Sequence, residues 1–182
     1  MSHNPWTTNS SRVVYKNAWI SVREDQVIRP DGNPGIYGVI DIRPSVCILA
    51  LSDKDEVPLV GQWRYALGRY SWELPRGGSH PGEIDMLEVA KRELAEETGV
   101  LATHWECLGP HDICNGVAND VQTFFLATGL TRAEMKLDPE EDIAVSWHTF
   151  SEVVAMATDG RITEVCSVAN IFKVALLRNT GK

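Results

Sequence analysis

Basic residues are in short supply: Lys and Arg total 17 against 25 Asp and Glu, a formal charge of -8 with a pI near 5.1. Duplex nucleic acid is gripped by clustered Lys and Arg, so this balance argues against a nucleic-acid partner; a small polyphosphate would need a cation in between. Long apolar runs are missing as well. Stretches such as Val46 to Leu51 are far too short to span a bilayer, so no membrane partner is expected. The opening MSHNPWTTNSSR has neither the charged start nor the apolar core of a secretory signal, and the expected location is cytoplasmic. The four cysteines, Cys47, Cys107, Cys114 and Cys166, show no C-x-x-C spacing and no His at zinc-finger intervals, which points to buried reduced thiols. No D-x-D-x-D-G loop is present, which disfavours a structural calcium domain. There is no internal repeat and no low-complexity linker.

What is present has the size and composition of an ordinary folded domain, with 182 residues, 43% hydrophobic and 23% charged. The first dozen residues are polar and read as a frayed tail. Val13 to Ile28 is rich in Val, Ile, Tyr and Trp, and the Pro30 to Gly35 turn separates it from a second strand starting near Ile36. Val46 to Leu51 and Val57 to Val60 flank Asp53-Lys54-Asp55 as a hairpin. Further strands are expected at Val121 to Ala127 and Ile143 to Phe150, with helices from Ser151 and over Thr163 to Arg178. In the last helix Val165, Val168, Phe172, Ala175 and Leu176 recur at helical spacing as a core stripe. The fold class is α/β, a mixed sheet covered by helices.

The chemistry concentrates in residues 77–100. Asp85 is a good N-cap with Glu88 three residues later, and Gly99 suits a left-handed C-terminal turn, which predicts a helix over Met86 to Thr98. Leu87, Ala90 and Leu94 form its inner side. Glu93, Glu96 and Glu97 crowd its last two turns, where the helix dipole is already negative. Each like-charge pair costs about 0.2–0.5 kcal/mol and each badly placed charge about 0.3–1 kcal/mol. A cation-binding helix explains acids at that end, and oxygen donors suit magnesium, manganese or calcium. From the helix alone, a solvated acidic face remains an equal alternative.

The surrounding residues resemble the Nudix box. Arg92-Glu93-Leu94-Ala95-Glu96-Glu97-Thr98-Gly99-Val100 matches its second half, and Gly77 and Glu83 match the first. One extra residue, placed at Ile84, separates Glu83 from Arg92 and leaves the helical register intact. Trp72-Glu73-Leu74-Pro75-Arg76-Gly77 and Gln62-Trp63-Arg64-Tyr65 are similar to segments of the branch that hydrolyses ADP-ribose and nucleoside diphosphate sugars. So are Glu140-Glu141-Asp142-Ile143 and Asp159-Gly160-Arg161-Ile162. Two departures bear on the substrate: Arg76 stands where Ala is usual, and no proline follows about fifteen residues beyond the box.

The resemblance implies a Nudix-type α-β-α sandwich over residues 45–182, preceded by an antiparallel strand region over 1–44 that forms a homodimer. It implies metal-dependent hydrolysis of the pyrophosphate bond of ADP-ribose or a nucleoside diphosphate sugar, with Mg2+ or Mn2+. The alternatives are a hydrolase of nucleoside triphosphates or dinucleoside polyphosphates, and a non-catalytic nucleotide-sugar sensor. The implied metal ligands are Glu93 and Glu97, with Glu96 assisting and the Arg76 or Gly77 carbonyl as an extra donor. Arg92 pairs with carboxylates, Arg64 contacts phosphate, and Glu73 serves as an outer-shell or sugar contact. Helix carboxylates committed to metal make poor bases, so the base is expected in the loop after Asp138-Pro139, Glu141 first and Glu140 second. His111 is the reserve candidate.

Overall fold

The computed structural model describes residues 3–132 and 142–181. Its contacts divide the chain into two compact units, Met1–Pro44 with Asp112–Val121, and Ser45–His111 with Gln122–Lys182. The first unit thus joins the N-terminal residues to the distant segment 112–121, which no local signal marks as belonging with the N-terminal strands.

The first unit is an antiparallel meander of β1 (Thr7–Lys16), β2 (Ile20–Ile28) and β3 (Pro34–Ile42). The chain reverses after β1 because Asn17 Oδ1 accepts hydrogen bonds from the Trp19 and Ile20 amides, both at 2.8 Å. It reverses again at Gly32, whose φ of 82° lies in the left-handed region. Two expectations are corrected here. Residues 7–12 are not a frayed tail but the first six residues of β1, paired from Thr7↔Ile28 to Arg12↔Glu24. Val13 to Ile28 is two strands, not one. The hydrophobic pattern misses β1 because every one of its residues is exposed; backbone pairing and the Arg12–Glu24 ion pair hold it to β2. Residues 112–121 line the far edge of β3. Ile40 N–H donates to Val117 O (2.8 Å), Asn119 N–H to Ile40 O (3.1 Å), and Tyr37 Oη to Gly116 O (2.7 Å).

The second unit carries two sheets. One runs β7 (Arg76–Gly78), β4 (Ser45–Ala50), β9 (Val121–Arg132), β8 (Val100–Asp112); the other runs β10 (Ala144–Thr149), β5 (Glu56–Arg64), β6 (Arg69–Glu73). Helices α1 (Met86–Thr98) and α3 (Val165–Asn179) both pack on β4, and α2 (Phe150–Asp159) packs on α3, β5 and β10. Covered in this way, β4 reads as an unbroken apolar run whose residues Val46 to Ala50 are all buried. Val46, Ile48 and Ala50 meet Val89, Ala90 and Leu94 of α1 in one core cluster with Phe125 and Ala127 of β9. This is the mixed α/β architecture expected.

Local departures have identifiable causes. The buried side of α3 is Cys166, Ser167, Asn170, Ile171 and Val174, whereas Val165 and Leu176 of the expected stripe are exposed. Counting apolar residues selects the wrong face because two inward positions are polar and hydrogen-bonded: Asn170 Nδ2 donates to Cys47 O, and Ser167 Oγ accepts from Leu74 N–H. Strand β8 escaped notice because its outward residues are largely polar. Of the cysteines, Cys47 and Cys166 are buried as expected, while Cys107 and Cys114 are exposed. Among the described residues no helix is long and apolar enough to cross a membrane.

Candidate active site on the acidic helix

Helix α1 begins and ends where its caps require. Asp85 Oδ1 accepts the Leu87 amide at 2.9 Å, and Gly99 closes the helix at φ 64°. Glu88 does not complete a capping box; its carboxylate takes Lys91 Nζ at 2.7 Å. The extra residue, Ile84, lies before the cap and is 92% exposed, so it is absorbed in the loop without shifting the helix.

The acids of the last two turns fall into two environments. Glu93 and Glu97 point inward and are buried, while Glu96 is more open and accepts Arg92 Nη1 at 3.0 Å. Beneath the two buried acids runs β7, paired with β4 through Cys47↔Arg76, Val46↔Gly77 and Ser45↔Gly78. The Arg76 amide donates to Glu97 Oε2 at 2.9 Å. A Cβ built at Gly77 would overlap the Glu93 carboxyl group, so only glycine leaves that carboxylate its seat.

Arg92 binds this region together as the sequence implied. Its Nη1 donates to Glu93 (2.9 Å) as well as Glu96, and its Nη2 to Gly78 O (3.1 Å) and Glu83 (3.2 Å). Burial alone would lower the guanidinium pKa, but Glu93, Glu83 and Glu96 raise it well above its ordinary value. Glu83, despite the displaced spacing, accepts the His80 amide at 2.6 Å, and that bond together with Arg92 lowers its pKa.

Arg64 and Glu73, expected near substrate, meet each other. Arg64 Nε donates to Glu73 Oε1 at 2.9 Å and Nη2 to Oε2, a two-pronged pairing from β5 to β6. Glu73 is 1% exposed; burial would raise its pKa, but the Arg64 hydrogen bond and charge hold it below the usual carboxylate range. Trp63 is exposed, as is Trp19, and Trp72 packs edge-to-face on Tyr70. His111 stacks on Phe124 at 3.9 Å, and its Nε2 lies 3.2 Å from Lys173 Nζ. Glu140 and Glu141 lie outside the described residues.

Reasoning from sequence missed Glu164, the N-cap of α3. Its carboxylate accepts the amides of Cys166 (3.0 Å) and Ser167 (2.7 Å) and pairs with Arg76 Nη1 at 2.8 Å. The unusual Arg76 was a signal that some acid must face it, but nothing local pointed to Glu164.

Among the described residues no three Asp, Glu, His or Cys side chains are arranged to hold a metal by themselves. The donor set nonetheless fits a hard divalent cation. Two carboxylates fixed by backbone, with substrate phosphates and water completing the shell, is how magnesium is commonly bound.

Comparison with known proteins bears on this arrangement. Residues 6–40 match the family model described as the nucleoside diphosphate sugar hydrolase N-terminal domain, and residues 41–166 match the NUDIX domain. The chain is 32% identical to an ADP-ribose pyrophosphatase of Mycobacterium tuberculosis, over 96% of this chain and 85% of that protein. It is 28% identical to an ADP-ribose pyrophosphatase of Bacillus subtilis, covering 74% and 72% respectively, and 26% identical to a methanol dehydrogenase activator of Bacillus methanolicus, covering 85% and 84%. A crystal structure of an ADP compounds hydrolase superposes with a TM-score of 0.86 at 21% identity, over all of this chain and 98% of that one.

Proposed function

The chain belongs to the NUDIX family of hydrolases, and from that membership we propose that it splits the pyrophosphate bond of ADP-ribose or a nucleoside diphosphate sugar. The products are a nucleoside monophosphate and a sugar phosphate. The observation that carries this reading is the pair of buried carboxylates, Glu93 and Glu97, seated on the backbone of Gly77 and Arg76 at the negative end of α1. The activity named for the relatives in Mycobacterium tuberculosis and Bacillus subtilis supports the substrate class.

Glu93 and Glu97 are the principal ligands for Mg2+ or Mn2+, with Glu96 beside them and the Arg76 or Gly77 carbonyl as an additional donor. A bound divalent ion supplies charge neutralisation of the pyrophosphate and a more acidic water. The protein's own contribution is to hold the carboxylates still, with Arg92 screening their mutual repulsion. Arg64 contacts a phosphate oxygen: Glu73 holds its Nε and Nη2, which leaves Nη1 for the anion. Glu73 therefore acts on the substrate through Arg64. The base is Glu141, with Glu140 second, both from the stretch of sequence between β9 and β10.

The protein acts as a homodimer through the first unit. Val13, Val14 and Tyr15 on the outer strand β1, and Trp19 in the turn after it, are half or more exposed, an apolar edge that monomers avoid presenting. Sedimentation at micromolar concentration should give twice the chain mass, and a monomer would overturn this. The reaction itself is tested by product analysis over ADP-ribose, ADP-, GDP- and UDP-sugars and nucleoside triphosphates, with Mg2+, Mn2+ or excess chelator. Monophosphate and sugar phosphate should form only with metal; full turnover in chelator, or inertness toward every diphosphate sugar, would refute the reading.

A further inference from the structure

Strand β7 sets the position of both buried carboxylates, yet it is only three residues long and is held to β4 along one edge. Something else must keep it in place. The residues around Arg76 show what does. The Arg76 side chain turns away from the acidic helix to Glu164 Oε1 at 2.8 Å, with Glu73 Oε2 at 3.8 Å on the same Nη1. Glu164 cannot swing away, because its two oxygens are held by the Cys166 and Ser167 amides and by Ser167 Oγ at 2.8 Å. Ser167 Oγ in turn accepts the Leu74 amide at 2.9 Å. The N-terminal turn of α3 thus grips the chain at β7 twice, by backbone at Leu74 just before the strand and by side chain at Arg76, its first residue.

We propose that Glu164 and Ser167, through Arg76, are positioning residues that fix the geometry of Glu93 and Glu97 for metal binding. This rests on the proposed metal-dependent function. It also accounts for Arg76 where Ala is usual in the box: an alanine there could not reach α3. Glu164 touches neither helix acid in the bonds described, and its effect passes along one chain. Glu164 orients Arg76, the Arg76 amide orients Glu97, and the adjoining Gly77 forms the floor under Glu93. Residues that orient metal ligands typically influence affinity about 10- to 100-fold.

The test uses the intact protein and the variants Glu164→Gln, Arg76→Met, Arg76→Lys and the Glu164→Gln/Arg76→Met pair. Glutamine keeps an oxygen for the α3 amides but removes the charge that holds Arg76. Three readouts are taken: Mn2+ affinity without substrate, from the free-ion spin-resonance signal; exchange of the Arg76 amide hydrogen without metal; and kcat and KM for ADP-ribose. Glu164→Gln and Arg76→Met should each weaken Mn2+ binding about tenfold, speed Arg76 amide exchange, and lower kcat with KM changed less than about twofold. The double variant should be no worse than either single one, because both cut the same link. Arg76→Lys, which keeps a cation, should recover part of the affinity. Folded Glu164→Gln or Arg76→Met with wild-type Mn2+ affinity and Arg76 exchange would overturn the inference, as would losses that add in the double variant. Should Glu164→Gln not fold, the comparison of Arg76→Met with Arg76→Lys decides alone: equal affinities would overturn the inference. Wild-type protein that bound no Mn2+ would overturn the metal-site reading together with it, whereas a variant that binds as wild type overturns only the inference.

Discussion

Replacing Gly77 by alanine tests the seat of Glu93 with the smallest possible change. The added methyl would overlap the Glu93 carboxyl carbon and both of its oxygens. Ordinary non-bonded separation requires the carboxyl group to retreat by roughly 1 Å or more. The neighbouring groups allow little room: Arg92 holds Glu93 from one side, and α1 packs its Leu94 and Ala90 into the core. Overpacking of this kind costs about 1–3 kcal/mol, offset by about 0.4–1 kcal/mol from the stiffer unfolded chain. A net loss of about 1–2 kcal/mol lowers Tm by roughly 2–8 °C in a chain of this size. A misplacement of about 1 Å in a catalytic group can cost about 10² in rate, far more than the small unfolded fraction accounts for. Calorimetry, Mn2+ binding and steady-state kinetics separate the two effects. Gly61→Ala is the control, since the atoms nearest its methyl would be Tyr70 Oη at 2.6 Å and Trp72 at 2.7 Å rather than a helix acid. It should lose stability and keep Mn2+ affinity. Gly77→Ala with near-native kcat and Mn2+ affinity would refute the seating of Glu93.

Glu93→Gln and Glu97→Gln should each cut turnover by about 10² or more while Tm stays within about 4 °C, because an amide still accepts the Arg92 or Arg76 hydrogen bond but brings no charge to a metal; near-native turnover at saturating Mg2+ would remove them as ligands. Exchanging Glu141 and Glu140 for Gln, singly and together, should lower kcat about 10²-fold with Mn2+ affinity unchanged, and full activity in the double variant would move the base elsewhere. The folded pKa of Glu73 is lowered, so its ion pair contributes stability above the ordinary carboxylate range and loses it as pH falls toward the folded value. Unfolding of Glu73→Gln should accordingly depend less on pH below about 4.5 than the wild type does, and parallel curves would contradict that assignment.

Legibility followed the kind of signal each element carries. Helix α1 was readable to the residue because Asp85 and Gly99 are local caps, and its acids stood out because they occupy the unfavourable end of a dipole. The role of Arg92 was equally plain, since its carboxylate partners lie within one turn of it or in the loop just before. Strand β1 could not be seen, because an exposed strand leaves no alternation of apolar residues. The inner face of α3 was misread because Ser167 and Asn170 are buried by virtue of their hydrogen bonds, which composition cannot report. The Arg76–Glu164 pair joins segments far apart in the chain, and the Arg64–Glu73 pair links two residues that were each expected to contact substrate, a pairing between neighbouring strands that no local pattern announces.

The hydrogen bonds from residues 112–121 to the outer edge of β3 also set an order of events during synthesis. Tyr37 and its partner Gly116 are 79 residues apart, and Ile42 and Asn119 are 77 apart. At roughly 5–20 residues per second, the ribosome needs about 4–16 s to deliver the covering strip after β3 has emerged. Throughout that interval the nascent chain presents an uncapped strand edge, a ready template for a neighbouring copy on the same message. An engineered permutant in which 112–121 is translated before β3 should close that window and give less co-translational aggregate.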